Sequence, residues 1–472
     1  MEIINRYLSG TLVPVAILLC SVYFLIKLKG RPLRNPIAII RSMFKKKDSG
    51  GVSPIKAVIF ALAGTLGVGN IVGVASAIAL GGAGSVFWMW VSAFLAMILK
   101  YSEVVLAVRH RRERNGENYG GAMYYMRDFF NSCKKYTLGY IVSFIFVLLC
   151  LINGLTMGCI IQSNAISDSC KMAFGIDERI VGIILALMAF IVFFMNGKKV
   201  FSICEKLVPF VSVLYIVMSL VVIFARTDQI HRVFLEIMDD AFTFQSVGAG
   251  VTGFFVSKSL RYGTIRGLFS NEAGCGTSPI AHATSNTDSP CEQGFFGILE
   301  VFIDTVVVCT LTAFVILTSK NEVVEYADNP ILMVMSSFSN VLGDISNVLL
   351  TIAVILFAFA TIICWGYYGR ECVYYFNKSD KATKVYYFIY IVFVFVGSII
   401  SLDAVWQLAD FAVGGMTLIN LTILVLMNNE IKMETENYFK KELPEGSPEF
   451  IKFDKRCSRS QAKQEAHCIF PH

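Results

Sequence analysis

The sequence predicts an all-α polytopic membrane protein of about eleven spans, in which an interrupted span recurs five spans later in an inverted repeat. Three observations carry this expectation. The 472 residues are 55% hydrophobic and only 16% charged, with a mean hydropathy of +0.63. Apolar runs of about 20 residues recur along the chain, the length a bilayer requires. Two of those runs, five spans apart, are interrupted by glycines and polar residues. A closed β-barrel would instead alternate over segments of roughly ten residues, and that alternation is missing from the sequence.

The spans fall, in order, at 11–27, 55–80, 86–108, 139–162, 180–196, 207–225, 246–276, 295–318, 346–369, 385–401 and 404–427. The first is followed by Lys27, Lys29, Arg31 and Arg34 without a small-residue cleavage site, so it reads as a retained helix rather than a leader. The expected organisation is an N-terminal transmembrane helix (1–30) and a basic connection (31–54). A ten-helix core (55–427) follows, with repeats at about 55–225 and 246–427, and then a charged tail (428–472). Tyr119–Phe130 is amphipathic and is expected at the inner interface, and Gln229–Phe242 as an outer surface helix. The seventh span carries Lys258, Arg261 and Arg266, so part of 246–266 is alternatively read as lying along the outer surface.

Positive charge alternates between connections as the positive-inside rule requires. Arg41 and Lys45 to Lys47, then Arg109 to Arg114, Lys198, Lys199 and Lys206, and finally Arg370 to Lys384 mark one side. Connection 319–345 sets Lys320 against Glu322, Glu325, Asp328 and Asp344. The expected placement is a multi-pass cell-membrane protein with its N-terminus outside and its C-terminus cytoplasmic. The net charge of +6 is thus explained by a lipid bilayer, without nucleic acid. The 13 cysteines are scattered without a CxxC pair and read as small buried residues. Cys457, His467, Cys468 and His472 in the tail are read as part of a disordered extension rather than a metal cluster.

The two interrupted spans carry the chemistry. GTLGVGNIVG (64–73) places Gly64, Gly67, Gly69 and Gly73 in a span, although each glycine costs about 1 kcal/mol relative to alanine in a helix. One reading is close helix packing, since Gly69 and Gly73 have small-xxx-small spacing. Against it stand Thr65 and Asn70 among the glycines at membrane depth, and the matching interruption LFSNEAGCG (268–276) five spans later. A matched pair of broken helices is the sequence pointer to an inverted-repeat transporter. There, freed N–H groups suit a carboxylate and freed C=O groups suit a cation.

At these residues the chain resembles the alanine or glycine:cation symporters, of the amino-acid/polyamine transporter superfamily. The resemblance rests on residues 64–103, IIQSNAIS (160–167), RGLFSNEAGCGTSPIAHA (266–283), FIDTVVVCT (302–310) and TIICWGYYGREC (361–372). It implies the five-plus-five inverted repeat of a LeuT-like fold behind one extra N-terminal helix, and uptake of small neutral amino acids, alanine and glycine, driven by sodium. It names no further cofactor and no obligate protein partner.

On that resemblance Gly67, Gly69 and Asn70 would face the substrate carboxylate, with Phe269 and Ser270 opposite them. Gln162 would reach the substrate, or alternatively cap the end of its span beside Ser163 and Asn164. Thr361 would donate its hydroxyl to sodium, joined by the carbonyls of Ala63 and Leu66, while Trp365 would wall a small pocket. Ala360 stands where relatives often carry a second hydroxyl, so one sodium ligand is expected to come from elsewhere. Asp304 and Glu272 are read either as ion-pathway carboxylates or as structural partners of Arg266 or another buried base. Glu103 is read as an interfacial pair with Lys100, and His282 as a polar residue of the cytoplasmic side. No HExxH, GxSxG or phosphate-loop motif occurs, so no catalytic residue is assigned. A channel and a proton-coupled symporter remain the competing functions.

Overall fold

The computed structural model describes residues 1–34, 51–194, 197–242, 258–320 and 329–441. Arg41, Lys45 to Lys47, the 246–257 part of the seventh span and the tail cysteines and histidines lie outside the described residues. Apart from one short hairpin, Arg112–Arg114 with Glu117–Tyr119, the described secondary structure is helical.

Among the described residues seven helices are long and apolar enough to cross a membrane: Leu8–Lys27, Ser85–Arg109, Tyr136–Phe174, Val200–Ala225, Pro290–Thr318, Ile345–Phe376 and Asp403–Leu426. An eighth span forms if Pro54–Thr65 and Val68–Gly81, bent by 66° at their junction, are taken together. The described parts of three other expected spans are the helices Glu178–Phe194, Lys258–Asn271 and Asp380–Gly397, the last of which begins with Asp380, Lys381 and Lys384. The fourth span runs well past its expected end at Gln162. A π-helical turn at Thr156–Ile160 absorbs the irregularity, and the helix continues from Ile161 to Phe174.

Helices far apart in sequence pack in pairs. Ser85–Arg109 packs on Pro290–Val301, Ile161–Phe174 on Ile345–Phe376, and Glu178–Phe194 on Asp380–Gly397. The broken helices pair head to tail, with Pro54–Thr65 against Ser278–His282 and Val72–Gly81 against Lys258–Asn271. Ser85–Arg109 is the most enveloped of the seven, with 83% of its span buried, against 33% for Leu8–Lys27 at the periphery. The outer face of the bundle is apolar, with exposed Leu19, Ile26, Phe144, Ile184, Leu187, Phe210 and Phe388. On a chain this hydrophobic, such a surface calls for lipid rather than water.

Three expectations are corrected here. The segment after Asn428 begins as a docked helix, Asn428–Lys441, and not as a loose tail. Ile431, Thr435 and Glu436 are buried on it, and Tyr438 and Phe439 pack edge to face with Phe295. Glu430 and Glu434 meet Arg109, and Glu430 also meets His110. Second, the described cationic part of the seventh span lies within the bundle, packed on Ser85–Arg109. Arg266 donates to Ser76 Oγ at 3.3 Å and sits 5.7 Å from the Trp406 ring. Third, Lys100 and Glu103 are completely buried rather than interfacial. The amphipathic segments lie as helices at Ala122–Ser132 and Thr227–Ala241.

Candidate functional site

Helix Pro54–Thr65 stops because Leu66 turns to ψ 85, and the chain restarts through one 3-10 turn, Val68–Asn70, into Val72–Gly81. Ending a helix in an apolar interior strands backbone groups that must be paired. Here side chains of other helices supply the partners. Gln162 Oε1 accepts from Val68 N at 3.3 Å, Trp365 Nε1 donates to Gly64 O at 3.3 Å, and Thr361 Oγ1 lies 3.4 Å from Leu66 O. Asn70 closes the turn on itself, its Oδ1 accepting from Gly67 N at 3.1 Å, while Thr312 donates to Asn70 O at 2.9 Å.

Gly67 is required by space. A Cβ there would stand 2.9 Å from Thr361 Oγ1 and 3.1 Å from Gln162 Oε1. Gly69 and Gly73 are different, since a Cβ at either would meet nothing within 4 Å. Their spacing therefore does not serve close helix packing. Trp365 is seated by two other glycines, Gly154 and Gly158, and a Cβ on Gly158 would fall 2.2 Å from its ring.

The second interruption lies slightly later than its motif suggests. Helix Lys258–Asn271 keeps Phe269 and Ser270 in its last turn, and the unwound stretch is 272–277, before the short helix Ser278–His282. Glu272, Gly274 and Gly276 all have positive φ, which suits the two glycines and strains the glutamate. Glu103 Oε2 accepts from Gly276 N at 3.2 Å, and Asn420 Nδ2 donates to Gly274 O at 2.9 Å.

The two broken helices meet at Asp304, which lies in a π-helical stretch, Phe302–Cys309. Its Oδ1 accepts from Asn70 Nδ2 at 2.7 Å, and its Oδ2 from Ser270 Oγ at 2.5 Å and Thr305 Oγ1 at 2.8 Å. All three partners are neutral, so Asp304 is not the structural partner of Arg266. Glu272 accepts instead from Thr277 Oγ1 at 2.7 Å.

The structure thus brings together Leu66, Gly67, Asn70, Gln162, Ser270, Thr361 and Trp365. Gln162 stands in mid-helix and is 5% exposed, which rules out the capping role. Phe269 is half-buried beside this group, Gly69 faces open space, and Ala63 lies buried one turn before the break. Sequence reasoning missed Thr312, Thr305 and Asn420. It also missed Glu300, which accepts from Ser278 Oγ and meets His282. Nothing in their local sequence distinguishes them, because their partners are 18 to 317 residues away or masked by an ordinary apolar helix pattern.

Comparison with known proteins fits this geometry. A profile of the sodium:alanine symporter family matches residues 1–452. The sodium/alanine symporter AgcS of Methanococcus maripaludis is 32% identical over 441 residues, covering 92% of this chain and 96% of the relative. The probable sodium/glutamine symporter GlnT of Bacillus subtilis is 32% identical over 454 residues, covering 95% and 92%. An uncharacterized transporter of Haemophilus influenzae is 35% identical over 402 residues, covering 84% and 86%.

Among solved structures, the chain shares its fold with a Na+-coupled sialic acid symporter in a substrate-bound outward-open state. The TM-score is 0.51 at 13% identity, over 90% of this chain and 86% of the other. It also matches the manganese transporter of Eremococcus coleocola, with TM-score 0.52 at 12% identity, over 89% and 93%. With two interrupted helices joined at a buried polar centre, and with a profile match that spans nearly its whole length, the chain belongs to the sodium:alanine symporter family, a family of multi-pass membrane transporters.

Proposed function

We propose that the protein imports small neutral amino acids, alanine or glycine, together with sodium across the cell membrane. The observation that carries this reading is the meeting of two unwound segments at Asn70, Ser270 and Asp304, with Thr361 beside the Leu66 carbonyl. Gly67, Gly69, Asn70, Gln162, Phe269, Ser270 and Trp365 would contact the amino acid. Thr361 with the carbonyls of Ala63 and Leu66 would hold sodium. Close packing supports a small side chain, because Trp365 is pressed against Gly154 and Gly158 and is 1% exposed. Identity alone does not choose the substrate, since AgcS and GlnT are equally similar to this chain.

The proposed architecture is a LeuT-like five-plus-five inverted repeat, with repeats at about 55–225 and 246–427, eleven spans, an outside N-terminus and a cytoplasmic C-terminus. The head-to-tail pairing of the broken helices supports it. A second reading, proton-coupled symport, is favoured by Ala360, which leaves the sodium shell without a second hydroxyl next to Thr361.

Uptake of labelled alanine, glycine and glutamine into proteoliposomes under imposed sodium, proton and null gradients tests both readings. Accumulation above equilibrium with sodium alone is the expected result. Accumulation that ignores sodium would reject sodium coupling, and simple equilibration under every gradient would point to a channel.

A further inference from the structure

A cavity of about 350 Å³ opens at the end of the bundle that carries Arg114 and Arg370. It lies outside the proposed substrate site, and two of its walls lead toward that site. Phe201 and Tyr367 line it, and both pack on Phe60 of the first broken helix, with ring centroids 4.1 and 5.3 Å away. Phe60 in turn meets the Tyr368 ring edge to face at 6.3 Å, and Tyr368 meets Trp365 at 5.5 Å. Trp365 Nε1 donates to Gly64 O at the edge of the unwound turn. A continuous run of rings therefore connects the cavity to the break.

Most of that run is what an aromatic core would contain, but one atom is not. Tyr368 is 1% exposed, yet its hydroxyl has no hydrogen-bond partner. Its neighbour Cys364 is already committed, since Sγ donates to Phe60 O at 3.2 Å. An unpaired buried hydroxyl costs stability that a phenylalanine of the same shape would not. Packing thus explains the ring and leaves the oxygen unexplained. That oxygen is aimed at the break, because a Cβ on Gly64 would stand 3.2 Å from it and 3.1 Å from Cys364 Sγ. The bare backbone at Gly64 leaves the hydroxyl two residues from Leu66, where the helix stops.

The cavity itself has the chemistry to receive a zwitterion. Lys56, Arg114 and Arg370 present cations to it, and Glu117 and Glu205 present carboxylates. Arg370 Nη1 donates to Glu371 Oε1 at 2.6 Å, and Arg114 Nη2 stands 3.9 Å from the same oxygen. Two guanidiniums share that one carboxylate and keep donors for a second. For an ammonium there are Glu205 and the faces of Phe201 and Tyr367. Glu205 is held by Lys56 at 3.0 Å, but both side chains are partly exposed, so this pair exchanges partners at little cost. The volume is at the small end of ligand pockets, which suits a free amino acid.

We propose that this cavity is a second, transient site for the transported amino acid, and that the Tyr368 hydroxyl passes the substrate to it from the unwound turn. The hydroxyl donates to the substrate carboxylate as that group leaves the break, and Arg370 and Arg114 receive it next. No covalent bond changes. The proposal rests on the amino-acid symport reading above.

Two variants test it by sodium-driven alanine uptake into proteoliposomes. Tyr368→Phe keeps the ring and removes the oxygen. Its maximal rate should fall several-fold, while equilibrium binding of labelled alanine in detergent and the melting temperature should not fall. Ser202→Cys places a thiol on an exposed residue of the cavity wall. Fluorescein maleimide added before reconstitution should fill the cavity and cut uptake several-fold relative to the same variant unlabelled. Wild type treated alike controls for Cys133, which is exposed. An unchanged maximal rate in Tyr368→Phe overturns the role of the hydroxyl, and undiminished uptake by labelled Ser202→Cys overturns the cavity as a site on the route. A wild type that accumulates no amino acid under any gradient would instead refute the symport reading, and this route with it.

Discussion

Asn70 and Asp304 are joined across the two interrupted segments, the amide Nδ2 of one donating to the carboxylate Oδ1 of the other at 2.7 Å. Ser270 donates to the same carboxylate from the second broken helix. One carboxylate therefore ties both halves of the proposed site together. Hydrogen bonds to charged groups contribute about 1.5–3 kcal/mol each. Asp304→Ala is expected to reduce uptake by about tenfold or more, while Asp304→Asn, which keeps shape and some bonding, should lose less. Initial rates in proteoliposomes, normalised to inserted protein, check the order of the two variants.

Neighbouring glycines should behave in opposite ways. Gly67→Ala would place a methyl 2.9 Å from Thr361 Oγ1, whereas Gly69→Ala would meet nothing within 4 Å. Overpacking costs roughly 1–3 kcal/mol, so Gly67→Ala is expected to weaken half-saturation by sodium by about tenfold. Gly69→Ala should leave half-saturation by sodium unchanged, and Gly69→Leu, which fills the open space, should abolish uptake. Sodium titrations of uptake distinguish these outcomes.

Gly158→Ala should disturb Trp365, because the added carbon would lie 2.2 Å from its ring. The expected effects are a lower melting temperature of the purified protein and slower uptake. Shrinking the ring by Trp365→Leu in the same chain should recover part of the melting temperature. A double variant no more stable than Gly158→Ala would show that the contact is not the cause.

The docked C-terminal helix should respond to alkali through His110, which sits just beyond the end of its span. Burial pushes its pKa down, but hydrogen bonds to Asp128 and Glu430 and the charges of those carboxylates outweigh this and raise it to about 9. A raised value means that the protonated ring stabilises the folded arrangement. The contribution is complete below the ordinary histidine range and is lost as pH rises through about 9. Amide exchange of residues 428–441, corrected for intrinsic rate, should accelerate above that pH, and His110→Gln should flatten the response.

Much of the fold was legible because its causes are local. Hydropathy located the seven long apolar helices found among the described residues, and the glycines with Asn70 located the first break. What was not legible depends on distant partners. Glu103 looked interfacial because the spacing of Lys100 and Glu103 is an ordinary helical pair, yet Asn420 and Gly276 hold its carboxylate far from any surface. The π-helical turn at Thr156–Ile160 has no sequence marker, so Gln162 was placed at a helix end that does not exist. The docked helix Asn428–Lys441 has the composition of a solvated tail, and the cationic Arg109–His110 corner gives Glu430 and Glu434 partners that its own sequence does not reveal. The second interruption was misjudged by a few residues. Phe269 and Ser270 remain helical because the left-handed residues begin only at Glu272.

The unwound turn at Gly64–Asn70 is held by side chains from three separate helices. Gln162 takes its amide at Val68, Trp365 takes its carbonyl at Gly64, and Thr312 takes its carbonyl at Asn70. A segment immobilised in this way has already surrendered most of its conformational entropy before any ligand arrives. Little of the binding energy is then spent on ordering the receptor, so a substrate with as few atoms as alanine can still be recognised.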